Sequence, residues 1–284
     1  MLELDTPAAM RDWADLTRAR GWRIGLVPTM GYLHAGHLSL VAEARRRADV
    51  CVASIFVNPL QFGANEDLAN YPRDLDRDRG ALAAAGVDVL YRPSADNMYP
   101  RGFQLEVAVT KVSAGLCGRA RPGHFGGVTT VVAKLFNAVK PHVAVFGEKD
   151  FQQLAVIRRM AADLDLGIEI VGMPIVREAD GLAMSSRNAY LSPEERAAAR
   201  CLSRALAAGR DAAKRGTAET AAVLEPVRNV LSAEPLARVD YAEVVDAETI
   251  EPLDVLDRPA LLALAVFIGR TRLIDNTVLA ATSH

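Results

Sequence analysis

Residues 24–47 read Ile-Gly-Leu-Val-Pro-Thr-Met-Gly-Tyr-Leu-His-Ala-Gly-His-Leu-Ser-Leu-Val-Ala-Glu-Ala-Arg-Arg-Arg. The apolar run at its start predicts a buried strand, and a proline and two glycines then indicate a turn. Apolar side chains follow at helical spacing, at Leu38, Val41 and Ala44, and three arginines close the helix where cations suit its dipole. The stretch therefore predicts a strand, a tight turn and a helix.

His34 and His37 lie where this turn becomes the helix. If the helix covers both, their Cβ atoms are about 5–6 Å apart on one face. The same helix end carries unpaired N–H groups and a positive partial charge, which suits an anion such as phosphate. Two other interpretations stay open here. One is a metal site, although no acidic or cysteine ligand lies nearby, and the other is a structural pair in which His34 caps the helix.

Composition bounds the class of protein. The 284 residues predict about two domains, and the 50% hydrophobic and 24% charged residues are typical of a globular chain with a large core. The net charge of −2 gives no reason to expect a nucleic-acid or membrane partner. Three widely spaced cysteines, Cys51, Cys117 and Cys201, do not form a disulfide framework, and no stretch predicts a targeting or membrane-spanning segment. We therefore expect a cytoplasmic protein, with Cys51 in the core.

Apolar runs alternate with helical patterns over the first 175 residues, which predicts a parallel sheet covered by helices on both faces. The predicted strands are 23–28, 50–57, 87–91, 142–146 and 168–172, and the predicted helices are 7–20, 36–48, 74–85, 126–139 and 150–164. Three strand ends carry polar residues, at Thr29-Met30, Asn58–Phe62 and Gly147–Asp150. Because ligands bind beyond the carboxyl ends of such strands, we expect these segments to converge.

The pattern changes after Pro174. An irregular stretch at 177–188 leads into predicted helices at 193–209 and 217–232, and runs at 239–245, 260–267 and 272–276 predict a small sheet. We place a domain boundary between residues 175 and 176. The chain is therefore expected to have an α/β domain over 1–175 and a smaller α+β domain over 176–284 that covers the site as a lid.

Five motifs together resemble the pantothenate synthetase (pantoate–β-alanine ligase) family, a branch of the His-x-Gly-His nucleotidyltransferases. They are residues 28–37, Asn58–Phe62, Tyr71–Arg73, Gly147–Asp150 and Met184–Asn188. The resemblance implies a Rossmann-like N-terminal domain and a homodimer. It also implies ATP-driven condensation of pantoate with β-alanine through a pantoyl-adenylate, with AMP and pyrophosphate as by-products.

The resemblance also implies where ATP binds. It places ATP along Met30–His37, at Gly147, Lys149 and Asp150, beside Val176, and at Met184–Arg187, and it makes His37 the proton donor. Adenylation joins two anions, so positioning and electrostatics dominate, and His34 and His37 near the phosphates suit that task. Lys149 suits a phosphate as a point charge, while Asp150 suits a ribose hydroxyl. Without the other motifs, Lys149 and Asp150 would indicate only a turn that caps the next helix.

Met184–Arg187 resembles the mobile phosphate-clamping loop of this superfamily, with Ser185, Ser186 and Arg187 around the leaving pyrophosphate and Gly181 as a hinge. A polar loop with serine capping is the structural alternative. Gln61 and Gln153, with Asn58, are the residues that we match to pantoate and β-alanine, because neutral amides bind hydroxyls and carboxylates without adding charge. His124 is a further pocket candidate, for which a helix-capping or packing role is an equal alternative.

Mg²⁺ is expected with ATP, held mainly by phosphate oxygens. Asp78 matches an acidic position in the family pattern, whereas Arg77 stands where some members have another acid. Three other functions stay open: an adenylyl- or cytidylyltransferase that keeps the nucleotide on its product, a nucleotide-binding regulatory protein, and a relative of the aminoacyl-tRNA synthetases. The last fits least, since the second domain is not basic.

Overall fold

The computed structural model describes residues 1–64, 66–216 and 218–281. Its contacts divide the chain into two compact units. The first comprises Met1–Thr110, Arg121–Glu148 and Val156–Pro174, and the second comprises Lys111–Ala120, Lys149–Ala155 and Ile175–His284. The predicted division into a catalytic domain over 1–175 and a lid domain over 176–284 stays a prediction.

The first 174 residues alternate strands and helices. In chain order the elements are β1 (Leu2–Leu4), α1 (Pro7–Ala19), β2 (Ile24–Thr29), α2 (Ala35–Arg47), β3 (Val50–Ile55), α3 (Leu75–Ala84), β4 (Val89–Tyr91), α4 (Ala95–Met98), α5 (Leu116–Ala120), α6 (His124–Val139), β5 (Val143–Gly147), α7 (Phe151–Asp163) and β6 (Glu169–Met173). The three-residue strand β1 was not predicted from the sequence, because its leucines are partly exposed and the run is too short to show a period.

The strands of the first unit form a parallel sheet in the order β1-β4-β3-β2-β5-β6. The predicted α/β class with a parallel sheet is therefore confirmed. From β2 the chain proceeds to β3 and β4 on one side, and it then returns to place β5 on the other side of β2. The order of the strands thus reverses between β2 and β5. In open α/β sheets, ligands bind outside the carboxyl ends of the strands at such a switch point.

The central strands are buried on both faces, which is why they read as continuous apolar runs rather than alternating ones. Residues 51–53 of β3 and residues 143–145 of β5 have no exposed surface. Cys51 lies in this core, as predicted, and burial raises the pKa of its thiol to about 12. Helix α2 packs on the sheet through Leu40, Val41 and Ala44.

The second unit contains α8 (Pro193–Ala199), α9 (Cys201–Lys214), α10 (Thr220–Ser232), β7 (Ala237–Asp246), β8 (Ala260–Ile268) and β9 (Thr271–Leu279). The strands form an antiparallel sheet in the order β7-β8-β9, so the predicted α+β character is confirmed. The predicted helix 193–209 is two helices that meet at Arg200. Thr217, where the next helix was expected to begin, lies outside the described residues.

Apolar side chains of α9, α10 and β8 form the core of this unit. They include Leu202, Leu206, Val223, Val227, Leu262 and Leu264. In the described parts of the chain, no helix has the length and hydropathy of a membrane span.

Candidate active site

The turn after β2 has an unusual backbone. Gly31 and Tyr32 both have positive φ angles, of 82° and 51°. Thr29 stabilises the turn, since its hydroxyl accepts a hydrogen bond from the Gly31 nitrogen at 3.1 Å and donates one to the Ser54 carbonyl at 2.7 Å. A non-glycine residue at positive φ is uncommon, so other contacts must hold Tyr32 in place.

Asp78 and Arg77, at the start of α3, supply those contacts. The Asp78 carboxylate accepts the backbone N–H of Tyr32 at 2.6 Å and that of Leu33 at 2.8 Å, and the residue is 1% exposed. Arg77 donates to the Leu33 carbonyl at 2.5 Å, and its guanidinium lies 4.8 Å from the centre of the Tyr32 ring. Two adjacent residues of α3 therefore fix the turn that delivers the chain to His34.

His34 is the N-cap residue of α2, and its ring lies beside that of His37, with 4.1 Å between the ring centroids. The two rings are therefore close, although α2 begins at Ala35 and does not cover His34, which takes the capping position of the structural alternative. The backbone N–H of His34 donates to Nδ1 of His37 at 3.3 Å. Because Nδ1 accepts, the neutral form of His37 carries its proton on Nε2. Both imidazoles thus stand at the amide-rich end of α2, at the carboxyl edge of β2.

Asn58 and Gln61 belong to the turn that follows β3. The Asn58 amide nitrogen donates to the Gln61 side-chain oxygen at 3.1 Å and to the Gly127 carbonyl at 3.0 Å, and the Tyr99 hydroxyl donates to the Asn58 oxygen at 2.7 Å. Asn58 is 0% exposed. The side-chain nitrogen of Gln61 in turn lies 3.3 Å from the Met30 sulfur. Asn58 therefore supports Gln61, and Gln61 touches the turn after β2.

His124 and Arg121 fix the backbone of the same turn. Nδ1 of His124 lies 2.9 Å from the Gln61 carbonyl, and Nε2 lies 3.0 Å from an Arg121 nitrogen. Since the guanidinium only donates, Nε2 accepts, and the neutral ring donates from Nδ1 to Gln61. Arg121 also grips Glu66 with two bonds of 2.7 and 2.6 Å. Burial raises the pKa of Glu66, but the hydrogen bonds and charge of Arg121 outweigh it, so this pKa lies below its ordinary value.

In the second unit, Lys149 and Asp150 form a short turn before α7. The ammonium of Lys149 lies 3.7 Å from the Asp150 carboxylate, and the Lys149 carbonyl accepts a hydrogen bond of 2.9 Å from the Asn276 side chain. Gln153 is half-buried one helical turn later. Its neighbour Gln152 is buried and binds the backbone of Val112, Gly115 and Cys117. Of the two glutamines, only Gln153 has its side chain near the surface.

Residues 176–184 form a hairpin in the same unit. The Met184 nitrogen donates to the Val176 carbonyl at 2.9 Å, and Arg177 pairs with Ala183. Gly181 lies at the tip with a φ angle of 90°. The structure thus joins Val176, which the resemblance assigns to adenine, to the first residue of the predicted phosphate loop. A hinge role for Gly181 stays a prediction.

The rest of the predicted phosphate loop is a short 3-10 turn, Ser186–Tyr190. Ser185 caps it, because its hydroxyl accepts the Arg187 N–H at 3.3 Å, and Ser186 is buried. Asn188 donates to Glu178 at 2.9 Å and to the Ala183 carbonyl at 3.1 Å, so the turn is tied back to the hairpin. Arg187 is half-buried.

Within residues 1–64, 66–216 and 218–281, no group of three or more His, Cys, Asp and Glu side chains could hold a metal ion. The carboxylate of Asp78 is engaged by two backbone amides, as given above. The role of Asp78 as a magnesium ligand stays a prediction, and the protein groups around it do not by themselves make a metal site.

Several supporting residues were not singled out from the sequence. Tyr99, Arg121 and Glu66 support the Asn58–Gln61 turn, and Asp275 and Asn276 support the residues of the second unit. Only Arg121 carried a signal, since it lies three residues before His124 in Arg-Pro-Gly-His. The other partners are distant in the chain. The roles assigned to the individual site residues stay predictions.

The chain was compared with families and with curated relatives. The Pantoate-beta-alanine ligase family model matches residues 3–278. A pantothenate synthetase of Geobacter sulfurreducens is 59% identical over 276 residues, which is 97% of this chain and 98% of that protein. A second, from Syntrophobacter fumaroxidans, is 58% identical over 276 residues, with the same coverage.

Solved structures agree with this result. The pantothenate synthetase of Thermus thermophilus matches with a TM-score of 0.92 at 49% identity, over 98% of this chain and 99% of that one. The pantoate-beta-alanine ligase of Francisella tularensis, described as complexed with beta-gamma ATP and beta-alanine, matches with a TM-score of 0.80 at 32% identity, over 98% and 97%. On its sequence, its fold and its matched length, the chain belongs to the pantoate–β-alanine ligase family.

Proposed function

We propose that this protein condenses (R)-pantoate with β-alanine in a reaction driven by ATP, which gives pantothenate, AMP and pyrophosphate through a pantoyl-adenylate. The family and its relatives support the overall reaction, and the Francisella complex supports ATP and β-alanine as ligands. One contact in this chain carries the proposal furthest. Gln61, matched to pantoate, lies 3.3 Å from Met30, matched to ATP, so the turns that follow β2 and β3 meet there.

The first step joins two anions. A carboxylate oxygen of pantoate attacks the α-phosphorus of ATP, the bond to the β-phosphate oxygen breaks, and pyrophosphate leaves. His34 and His37 stand at the positive end of α2, where developing charge on the phosphoryl oxygens is stabilised. In the neutral tautomer given above, His37 presents its Nε2–H as a hydrogen-bond donor for a phosphoryl oxygen.

Gln61 and Gln153 are assigned to pantoate, with Asn58 and His124 acting around Gln61. The Gln61 carboxamide is held by Asn58 and its backbone carbonyl by His124, so its orientation is set before substrate binds. Such preorganisation lowers the entropic cost of placing the attacking carboxylate. In the second step the neutral amine of β-alanine attacks the acyl carbon, and the bond to AMP breaks.

The remaining assignments concern ATP. Lys149 and Arg187 bring positive charge to the triphosphate, Ser185 and Ser186 bring hydroxyl donors, and Met184 belongs to the same loop. Asp150 is assigned to the ribose, and Gly147 and Val176 to the nucleotide. The hydrogen bond between Val176 and Met184 supports a joint role for Val176 and the loop Met184–Arg187. If they act together, ATP plus pantoate slows hydrogen exchange over residues 177–190, and unchanged exchange contradicts a closing loop.

Three accompanying expectations belong to the same proposal. ATP is expected to enter with Mg²⁺ held mostly by its phosphates, the protein is expected to be a homodimer, and its location is expected to be cytoplasmic. The three cysteines are buried thiols, which supports a reducing compartment. Light scattering on the purified protein measures its mass and tests whether it is a dimer. Activity measured after chelation and after Mg²⁺ is added back tests whether the reaction needs the metal.

Oxygen labelling tests the chemistry directly. With pantoate carrying ¹⁸O in its carboxylate, one labelled oxygen is expected in the released AMP, because the attacking oxygen stays with phosphorus when the amine displaces it. AMP must form only when pantoate and β-alanine are both present. Label in inorganic phosphate, or nucleotide retained in the product, would overturn the adenylate route. His37→Ala should abolish the labelled AMP, whereas an unchanged rate would contradict the role of His37.

A further inference from the structure

Strand β9 carries two consecutive polar residues, Asp275 and Asn276, that are only 2% and 7% exposed. Side chains alternate along a strand, so Asp275 shares its face with Leu273 and Leu279, which belong to the apolar core of the second unit. A carboxylate on an apolar face is unfavourable unless it is paired, and an apolar residue would satisfy the fold more readily. Packing alone therefore does not account for these two residues, and their partners point to a further role.

Asp275 holds the base of the hairpin 176–184. Its two oxygens accept from the two terminal nitrogens of Arg177, at 2.7 and 2.9 Å, which is a bidentate geometry. The same guanidinium donates to the Gly181 carbonyl at the hairpin tip, at 3.1 Å. The buried carboxylate thus holds Arg177 at the base of the hairpin, and Arg177 in turn holds its tip, in the segment that leads to Met184–Arg187.

Asn276 holds the turn that carries Lys149. Its side-chain nitrogen donates to the Lys149 carbonyl at 2.9 Å, and its own backbone N–H donates to the Asp275 carboxylate at 2.8 Å. The Cα atoms of consecutive residues are about 3.8 Å apart, and their side chains leave the strand on opposite sides. A rigid two-residue spacer therefore sets the spacing between the Lys149 turn and the hairpin.

We propose that Asp275 and Asn276 are positioning residues for the adenylation step, which set Lys149 and the loop that ends at Arg187 at a fixed spacing for one triphosphate. This inference rests on the proposed function, because it takes Lys149 and Arg187 as ligands of ATP. Neither Asp275 nor Asn276 contacts ATP in this scheme. The pair acts before the amine enters, so it affects the first half-reaction and spares the second.

The experiment separates the two half-reactions in the full-length protein. Pantoate-dependent exchange of pyrophosphate into ATP, without β-alanine, reports adenylation, and aminolysis of preformed pantoyl-adenylate reports the second step. Asp275→Asn and Asn276→Leu should each slow exchange at least tenfold and raise the KM for ATP. Aminolysis should stay within twofold of wild type. If Asp275→Asn does not fold, Asn276→Leu carries the test, since it removes one hydrogen bond and no charge.

Two controls with the same types of bond, at exposed positions, exist in the chain. Asp240 pairs with both Nε and a terminal nitrogen of Arg272, at 3.0 and 2.8 Å, and Asn97 makes the same kind of bond to a backbone carbonyl, that of Asp5, at 2.9 Å. Asp240→Asn and Asn97→Leu should change the melting temperature little, because both residues are exposed, and exchange should stay within twofold of wild type.

Lys149→Met distinguishes failure of this inference from failure of the proposed function. If Lys149→Met slows exchange and the β9 variants do not, the positioning role is wrong and the proposed function stands. If Lys149→Met exchanges at the wild-type rate, Lys149 is not a ligand of ATP and the positioning inference is wrong, while the exchange itself still supports the proposed function. Absence of pantoate-dependent exchange in the wild-type protein would overturn the proposed function. Equal slowing of exchange and aminolysis by the β9 variants would also overturn the inference, since it indicates general damage to the fold.

Discussion

The carboxylate of Asp78 lies 2.6 Å from the backbone nitrogen of Tyr32, a residue 46 positions earlier in the chain. Tyr32 has a φ angle of 51°, and its neighbour Leu33 donates to the other oxygen of the same carboxylate. A buried acid thus holds a strained turn, and that turn leads directly into His34 and His37. Asp78, which matches an acidic position of the family pattern, therefore has a structural role in this chain: it holds the turn before His34.

Replacing this acid separates its structural task from metal binding. In Asp78→Asn the new NH₂ group faces a backbone N–H, so one bond to a charged acceptor is lost. We expect the free energy of unfolding to fall by about 2–3 kcal/mol, and kcat/KM to fall at least tenfold as the histidines shift. Urea unfolding and steady-state kinetics measure these effects. Asp76→Asn is the control, since the side chain of Asp76 is 93% exposed. Rescue by excess Mg²⁺ would instead identify Asp78 as a metal ligand.

Two adjacent glycines of α6 give a second prediction. A Cβ atom on Gly127 would overlap the Leu60 carbonyl and lie 2.6 Å from the Gln61 nitrogen, whereas one on Gly126 would meet only the end of the Glu106 side chain. Gly127→Ala should therefore displace Gln61, raise the KM for pantoate and lower the melting temperature. Gly126→Ala should stabilise the helix by up to ~1 kcal/mol and leave the KM unchanged. Equal behaviour of the two variants would contradict this account.

His124 gives a third prediction. Its ring nitrogens are taken by Gln61 and Arg121, which favours a positioning role over direct contact with pantoate. His124→Leu should raise the KM for pantoate about tenfold, equivalent to ~1.4 kcal/mol, while the KM for ATP changes little. His124→Asn keeps a donor near the position of Nδ1 and should recover most of the loss. A failure of the asparagine variant to recover would indicate that pantoate itself contacts the imidazole.

A fourth prediction concerns stability and pH. Burial, with the charges of Arg18 and Arg23, lowers the pKa of His142 below its ordinary value. Its Nδ1 accepts the Ile24 N–H at 3.0 Å, so protonation there breaks a contact between β2 and the start of β5. A group whose folded pKa is depressed contributes stability above its unfolded pKa of about 6.5, and the contribution is lost as pH falls below that value.

Unfolding experiments between about pH 7.5 and 5 would measure this effect, because that range brackets the unfolded pKa of histidine. The free energy of unfolding of the wild type should decline across this range, and His142→Asn, which keeps an acceptor near Nδ1 but does not titrate, should show a shallower decline. Parallel curves for the two proteins would contradict a contribution from His142.

Much of the first unit was predictable because its signals are local. The strand, turn and helix of residues 24–47 follow from apolar spacing, glycines and a cluster of arginines, and the structure confirms them to within a residue or two. The alanine-rich region predicted to be helical over 193–209 is helical, but it consists of two helices, because its composition gives no sign of the break at Arg200. The strand β1 was missed because pairing with β4, rather than any local period, creates it.

The sequence alone determined the fold class, the family and the residue types available for the chemistry, since periodicity and short motifs are properties of neighbouring residues. Only the tertiary structure decided what those residues do to one another. It placed Asp78 under Tyr32, Gln61 against Met30, and Asp275 and Asn276 beside Arg177 and Lys149. Such partners lie tens to more than a hundred positions apart, and a buried polar group accepts whichever partner the packed backbone brings within about 3 Å. No local pattern in the chain encodes that choice.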